Sequence, residues 1–424
     1  MKEAGDHSRV RPGLTHLRLF VPLAVIVAAC AVAGTVAGFS AFDHCPGLGC
    51  DFITTFYAQG VAVVTPPFHI APFWRLPPFA ALVFAPFGTM SLAAAARVWM
   101  ALNVALAVVL IAMCARELDG PGRVARVAIA IALVAASLPV LHDIKWGQVS
   151  LLVCVGTIAA LRSRRAGPVG LGLLTAFKVY PLAYAVAPLA ERGWKTLAAT
   201  FACAIGFGAL LPLLLLGPDR TMALATNMLA TAPGSGDWEN HRSIVFYGGQ
   251  SLGASIERWF HDGRHIGLSR TEGLVASLPA PVAMAVAVLA SIAVLAATTI
   301  RLARRCLGPA HAAALCLTGV TLVVPPAWHH YFAFLPFAQA VALGASGSRL
   351  AGALAVASWL ASALPLTMLG LVDRVYFFYS VAGGTTVSAL LAWWALLAVP
   401  DDSDGGRSGQ PGPGGTKTFN RPGT

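Results

Sequence analysis

Long apolar runs separated by short clusters of Lys and Arg fill the chain from residue 19 to residue 398. Twelve such runs can be laid out, at about 19–39, 94–114, 125–141, 149–161, 168–179, 180–191, 196–216, 274–300, 310–327, 331–346, 350–370 and 375–398. Several fall short of the roughly 20 residues that a straight membrane span needs. The pair around Phe177-Lys178-Val179-Tyr180-Pro181 is especially short and reads as two half-helices meeting at a tip. Such a break is tolerated only where protein covers the backbone or where the backbone lines a cavity. The run from Pro77 to Met90 is too short and Pro-rich to cross and reads as a helix lying at the outer surface.

Composition settles the class. Of the 424 residues 57% are hydrophobic and 11% charged, with a mean hydropathy of +0.73. Soluble domains carry about 25% charged residues, so the chain reads as an all-α polytopic membrane protein of about twelve transmembrane segments. The net charge of +11 does not point to nucleic acid, because the basic residues sit in short clusters between apolar runs. Placing those clusters (Lys2 to Arg18, Arg116 to Arg126, Arg162 to Arg165, Arg192 to Lys195, Arg301 to Arg305, Arg349 and the tail after Pro400) in the cytoplasm puts both termini inside. The segment from Leu19 to Phe39 reads as a retained helix and not as a removed signal peptide. The resulting organisation is a cytoplasmic N-terminus at 1–18, a transmembrane domain at 19–398 with outer loops 40–93 and 217–273, and a disordered Gly, Pro and Ser-rich cytoplasmic tail at 399–424.

On that topology the informative polar residues share the outer face. Asp51 and Arg75 fall in the first outer loop, and Trp146-Gly147-Gln148 at an outer junction. Lys178 is at the half-helix tip, and Asn240, His241, Arg242, Gln250 and Ser251 are in the large outer loop. Trp328-His329-His330 lies at an outer turn. A carboxylate just past a membrane segment, among aromatics, is costly to desolvate and needs a reason to be there. A cavity lined by a carboxylate, a lysine and imidazoles is the simplest one.

These residues carry a family resemblance. Asp51-Phe52 with Tyr57, Pro77 to Leu82 with Pro86, then Trp99 and Asn103 open an ordered set. Gly147-Gln148-Val149 and Lys178-Val179-Tyr180-Pro181 follow, then Gly249 to Gly253 with Arg258, and Pro325 to His330. The set, from about residue 50 to residue 335, resembles glycosyltransferase family 87. The chain departs from the family's usual pattern at Gly249, where Asn is common, and at Pro325-Pro326-Ala327. The resemblance implies the C-type glycosyltransferase fold, a polyprenyl-phosphate-sugar donor, and Asp51 at the position of the family's carboxylate base. It implies a hexosyltransferase, with mannose as the first sugar and arabinofuranose as its competitor. The acceptor would be a glycolipid or polysaccharide hydroxyl, reached from the extracytoplasmic side of the cell membrane.

Transfer from a lipid phosphate makes two electrostatic demands: a base for the attacking hydroxyl and a partner for the charge gathering on the departing phosphate. Asp51 answers the first, and a single base with no second carboxylate nucleophile suggests inversion. Lys178, His329, His330, Arg75, Gln148 and Gln250 are candidates for binding donor phosphate or sugar. Each has an ordinary alternative. Asp51 can be a helix N-cap, Lys178 can snorkel to a headgroup or pair with a structural acid, and the His pair can belong to an interfacial belt. The two glutamines can cap helices, and Arg75 can anchor a surface helix. Cys45 and Cys50 frame the stretch before Asp51, where a disulfide or two thiols are both feasible. No spacing of Cys, His or carboxylates makes a convincing metal site, so neither metal nor other cofactor is expected. A transporter or flippase of lipid-linked sugar is the competing function; the missing internal repeat and the one-sided polar residues count against it.

Overall fold

The computed structural model describes residues 13–38, 48–72, 74–119, 122–231, 248–261, 272–304, 307–325, 327–345, 348–369, 371–372 and 374–400. The expected roles of Cys45, Asn240, His241 and Arg242, and the C-terminal tail, lie outside them. Among the described residues the fold is all helical, with one isolated antiparallel bridge between Gly249 and Trp328. The helices, in chain order, are α1 Gly13–Ala37, α2 Phe52–Val64, α3 Pro78–Gly88, α4 Leu92–Glu117, α5 Arg123–Ala135, α6 Leu138–Trp146, α7 Ser150–Arg162 and α8 Gly167–Phe177. They continue as α9 Val186–Arg192, α10 Trp194–Leu216, α11 Pro218–Ala230, α12 Leu252–Phe260, α13 Ala280–Ala303 and α14 Pro309–Val323. The last four are α15 Leu335–Gly344, α16 Arg349–Met368, α17 Val375–Val381 and α18 Gly384–Leu397.

The boundaries follow from local chemistry. The hydroxyls of Ser91, Ser251 and Ser348 accept from Ala94, Ala254 and Ala351 at the starts of α4, α12 and α16, satisfying amides that have no partner inside the helix. Between α5 and α6 the axis bends by 60°. Pro139 enters the first turn of α6, and a proline disfavours helical backbone in the residue before it. α17 and α18 are bent by 57° at Gly383, whose φ of +72° is a glycine conformation.

Five helices, α1, α4, α10, α13 and α16, are long and apolar enough to cross a membrane, or seven spans if each bent pair is one. The protein is a polytopic membrane protein. Of the remaining expected segments, α7, α8, Tyr180–Ala190 and α14 are apolar helices of 10–17 residues. One boundary is corrected: the apolar run ends at 141, but α6 continues to Trp146. The apolar pattern stops before the helix does, because His142, Asp143 and Lys145 are buried on it.

Two apolar cores meet along α7. The larger gathers Leu133, Leu315, Phe337 and Trp359 with residues of α1, α5, α6 and α14 to α18. The smaller is aromatic, built from Phe52, Phe56, Trp74, Phe84, Trp99 and Phe177. In it Phe56 stacks on Phe84 at 4.9 Å and Phe52 on Trp99 at 5.3 Å, pairs worth about 0.5–1.5 kcal/mol each beyond burial. α7 serves both, with Val153 and the preceding Val149 in the smaller core and Leu151 and Cys154 in the larger. At its far end Arg162 pairs with Glu117 at 2.6 Å, so the ends of α4 and α7 that carry basic clusters meet.

Candidate functional site

Asp51 stands at the head of the π-helical turn Phe52–Tyr57 that begins α2, and its side chain makes no capping bond there. It accepts instead from Gln148 Nε2. Three contacts fix the distance between these two segments. Gly49 N–H donates to the Lys145 carbonyl at 2.7 Å, Trp99 Nε1 donates to the Gly147 carbonyl at 2.8 Å, and Phe52 stacks on Trp99. Gly147 is left-handed at φ +66°, and a Cβ there would stand 2.8 Å from Gly49 Cα. Glycine is therefore required twice over at that position, for its φ and for the close backbone approach. Cys50 is disulfide-bonded.

Lys178 sits where α8 has ended at Phe177 and the 3-10 turn Tyr180–Ala185 has not begun, in extended backbone. It is buried, with its ammonium 4.2 Å from the Tyr331 ring centroid and 5.3 Å from that of Tyr180. Those ring faces attract a cation by about 0.5–2 kcal/mol, less than the several kcal/mol that burying an unpaired ammonium costs. Its one polar contact among the described residues is a long one, 3.4 Å to Ser150 Oγ. Asp51 and Asp143 both lie within its electrostatic reach.

Asp143 is the residue the sequence reading missed. It is 0% exposed, on α6, and its Oδ1 accepts the Ser150 backbone N–H at 3.0 Å. It thus caps α7 from another helix, where the helix dipole favours an anion. Its Oδ2 is buried and unbonded among the described residues. His142, one residue before, stacks at 5.5 Å on His330 and at 6.0 Å on Trp146. A run of charged residues directly after an apolar segment, His142-Asp143-Ile144-Lys145, was the available signal.

The two adjacent imidazoles differ. His329 Nδ1 is 2.7 Å from Thr385 Oγ1 and its Nε2 is 2.9 Å from Ser380 Oγ, so both ring nitrogens are engaged inside the protein. His330 Nδ1 is buried and unbonded among the described residues. Burial first, and then the nearby Lys178 ammonium, hold its pKa well below the ordinary imidazole value, so the ring is neutral. Gln250 belongs with His329: its Nε2 donates to the Ser380 carbonyl at 2.8 Å, and its own carbonyl accepts from Thr386 at 2.9 Å. Its backbone N–H donates to the Ala327 carbonyl, beside the Gly249–Trp328 bridge. Arg75 is exposed, within electrostatic reach of Tyr331.

The structure therefore brings Asp51, Gln148, Lys178 and His330 together around the turn from Asp143 to Ser150, with Arg75 near their edge. It sets Gln250 and His329 in a neighbouring polar network. Among the described residues no three metal-ligating side chains converge. A buried cation with little hydrogen bonding, beside a half-buried carboxylate, suits an anionic leaving group and a hydroxyl nucleophile.

No curated protein and no solved structure matches the chain. The family model of glycosyltransferase family 87 matches residues 74–326, more than half of it, beginning after Asp51 and ending before His329. The chain belongs to glycosyltransferase family 87 and is a membrane glycosyltransferase.

Proposed function

We propose that the protein moves a hexose, with mannose the leading sugar, from a polyprenyl phosphate to a hydroxyl of a glycolipid or polysaccharide at the extracytoplasmic face. The observation that carries this reading is the pairing of a fixed carboxylate, Asp51 on Gln148, with the buried Lys178 ammonium. The acceptor oxygen attacks the anomeric carbon while its proton passes to Asp51, and the bond from that carbon to the phosphate oxygen breaks. The polyprenyl phosphate leaves with its charge facing Lys178. General-base assistance of this kind is worth about 10²–10⁴-fold.

The reaction inverts the anomeric centre, because one carboxylate acts as base and, among the described residues, no other is placed as nucleophile. Asp143 is a second carboxylate, but it is fully buried and one oxygen is bound to the start of α7. The basic clusters support the extracytoplasmic side: α7 starts beside Lys178 and ends at Arg162.

The test is a donor and acceptor screen with the reconstituted protein, followed by anomer analysis of the product. A β-linked polyprenyl-phosphate mannose is expected to give an α-linked product. A β-linked product would mean retention and would require a covalent intermediate on a carboxylate. No transfer from any polyprenyl-phosphate sugar would overturn the donor class.

A further inference from the structure

The turn from Asp143 to Ser150 meets each group on which the transfer reading rests. Gln148 donates to Asp51, Ser150 Oγ accepts from Lys178, and His142 stacks on His330 just before the turn begins. Ser150 faces two ways: its backbone N–H is bound to Asp143 and its hydroxyl to Lys178. Asp143 is fully buried, with Oδ2 unbonded among the described residues and Lys178 within electrostatic reach. A buried carboxylate with one oxygen on a helix N-terminus needs a cation for the rest of its charge. A buried ammonium with, among the described residues, a long hydroxyl contact and two ring faces needs an anion in turn.

We propose that Asp143 is the positioning residue for Lys178. Through Ser150 and through its own charge it keeps the ammonium inside the site, at a fixed separation from Asp51, which the same turn holds through Gln148. A lipid phosphate then meets an oriented cation and not one drawn out to the headgroups. The inference rests on the reading of Lys178 as the partner of the leaving phosphate. Simple repulsion would give the opposite sign, because deleting a carboxylate near an anion site should tighten anion binding. Positioning predicts weakening.

The experiment measures binding of a sugar-free polyprenyl monophosphate to the full-length protein in lipid nanodiscs, with thermal unfolding in parallel, for wild type, Asp143→Asn, Lys178→Met and the double variant. Asn keeps the shape and an oxygen for the Ser150 amide. Asp143→Asn is expected to weaken binding about tenfold, and the double variant to bind no more weakly than Lys178→Met, because residues acting through one another are not additive. Unchanged or tighter binding by Asp143→Asn, or a further tenfold loss in the double variant, overturns the proposal. If Asp143→Asn cannot be purified, Ser150→Ala decides: weakening of threefold or more supports it, and wild-type binding overturns it. If Lys178→Met binds polyprenyl monophosphate as wild type does, the reading of Lys178 fails first and the role of Asp143 with it.

Discussion

Two buried polar clusters lie side by side in this protein and differ in how well their hydrogen bonds are met. Around His329, both ring nitrogens have hydroxyl partners, Gln250 bonds to Ser380 and Thr386, and Ser255 meets Thr386 at 2.7 Å. Arg258 adds bonds to the Val381 carbonyl and to Ser255. Around Lys178, the ammonium has one long contact, and Asp143 Oδ2 and His330 Nδ1 have no bond among the described residues. A buried polar network that is largely met, as here apart from Gln250 Oε1 among the described residues, specifies structure. One left partly unmet costs stability and is kept where a ligand completes it. Sequence position does not separate the two clusters, since His329 and His330 are neighbours; hydrogen-bond accounting does.

The comparison breaks first at His329. His329→Ala removes one buried hydrogen bond from each of Ser380 and Thr385, which keep their bonds to Tyr376 and Tyr379, and opens a cavity, with an expected loss of about 3 kcal/mol, read as a clear fall in the thermal midpoint. A midpoint within a degree of wild type would mean that the network is not structural. Gly147→Ala should cost about 1–2 kcal/mol, through left-handed strain and the approach to Gly49, and should also slow transfer by displacing Asp51. Wild-type transfer would show that the Gly49–Gly147 contact does not set the base. The smallest stability effect is expected at His330: His330→Phe removes a buried unbonded nitrogen and should leave stability within about 0.5 kcal/mol of wild type. Transfer should fall all the same. A stability loss equal to that of His329→Ala would erase the distinction between the clusters.

The hydrophobic pattern was enough for the class and for most helices, because lipid-facing helices must be apolar whatever they do. It was enough also for the break at Lys178, where a cation interrupts an apolar run before Tyr180-Pro181. It misjudged α6, because buried charges there look like a loop when burial cannot be seen. Asp143 was missed for that reason: its role depends on Ser150 and Lys178, which approach it only in the folded chain. The division of labour between His329 and His330 was equally hidden, since it depends on Ser380 and Thr385, some 50 residues away. Gln148 and Asp51, 97 residues apart, were both singled out from the sequence, but their bond was not.

The central claim is that Asp51 takes the proton of the acceptor hydroxyl. Asp51→Asn keeps the shape and an acceptor for Gln148, so the thermal midpoint should stay close to wild type. Single-turnover transfer of labelled mannose from polyprenyl-phosphate mannose, with donor and acceptor saturating, measures the step directly. The account predicts a fall of about 10²–10⁴-fold in that rate with donor binding unchanged. A rate within about threefold of wild type would contradict it.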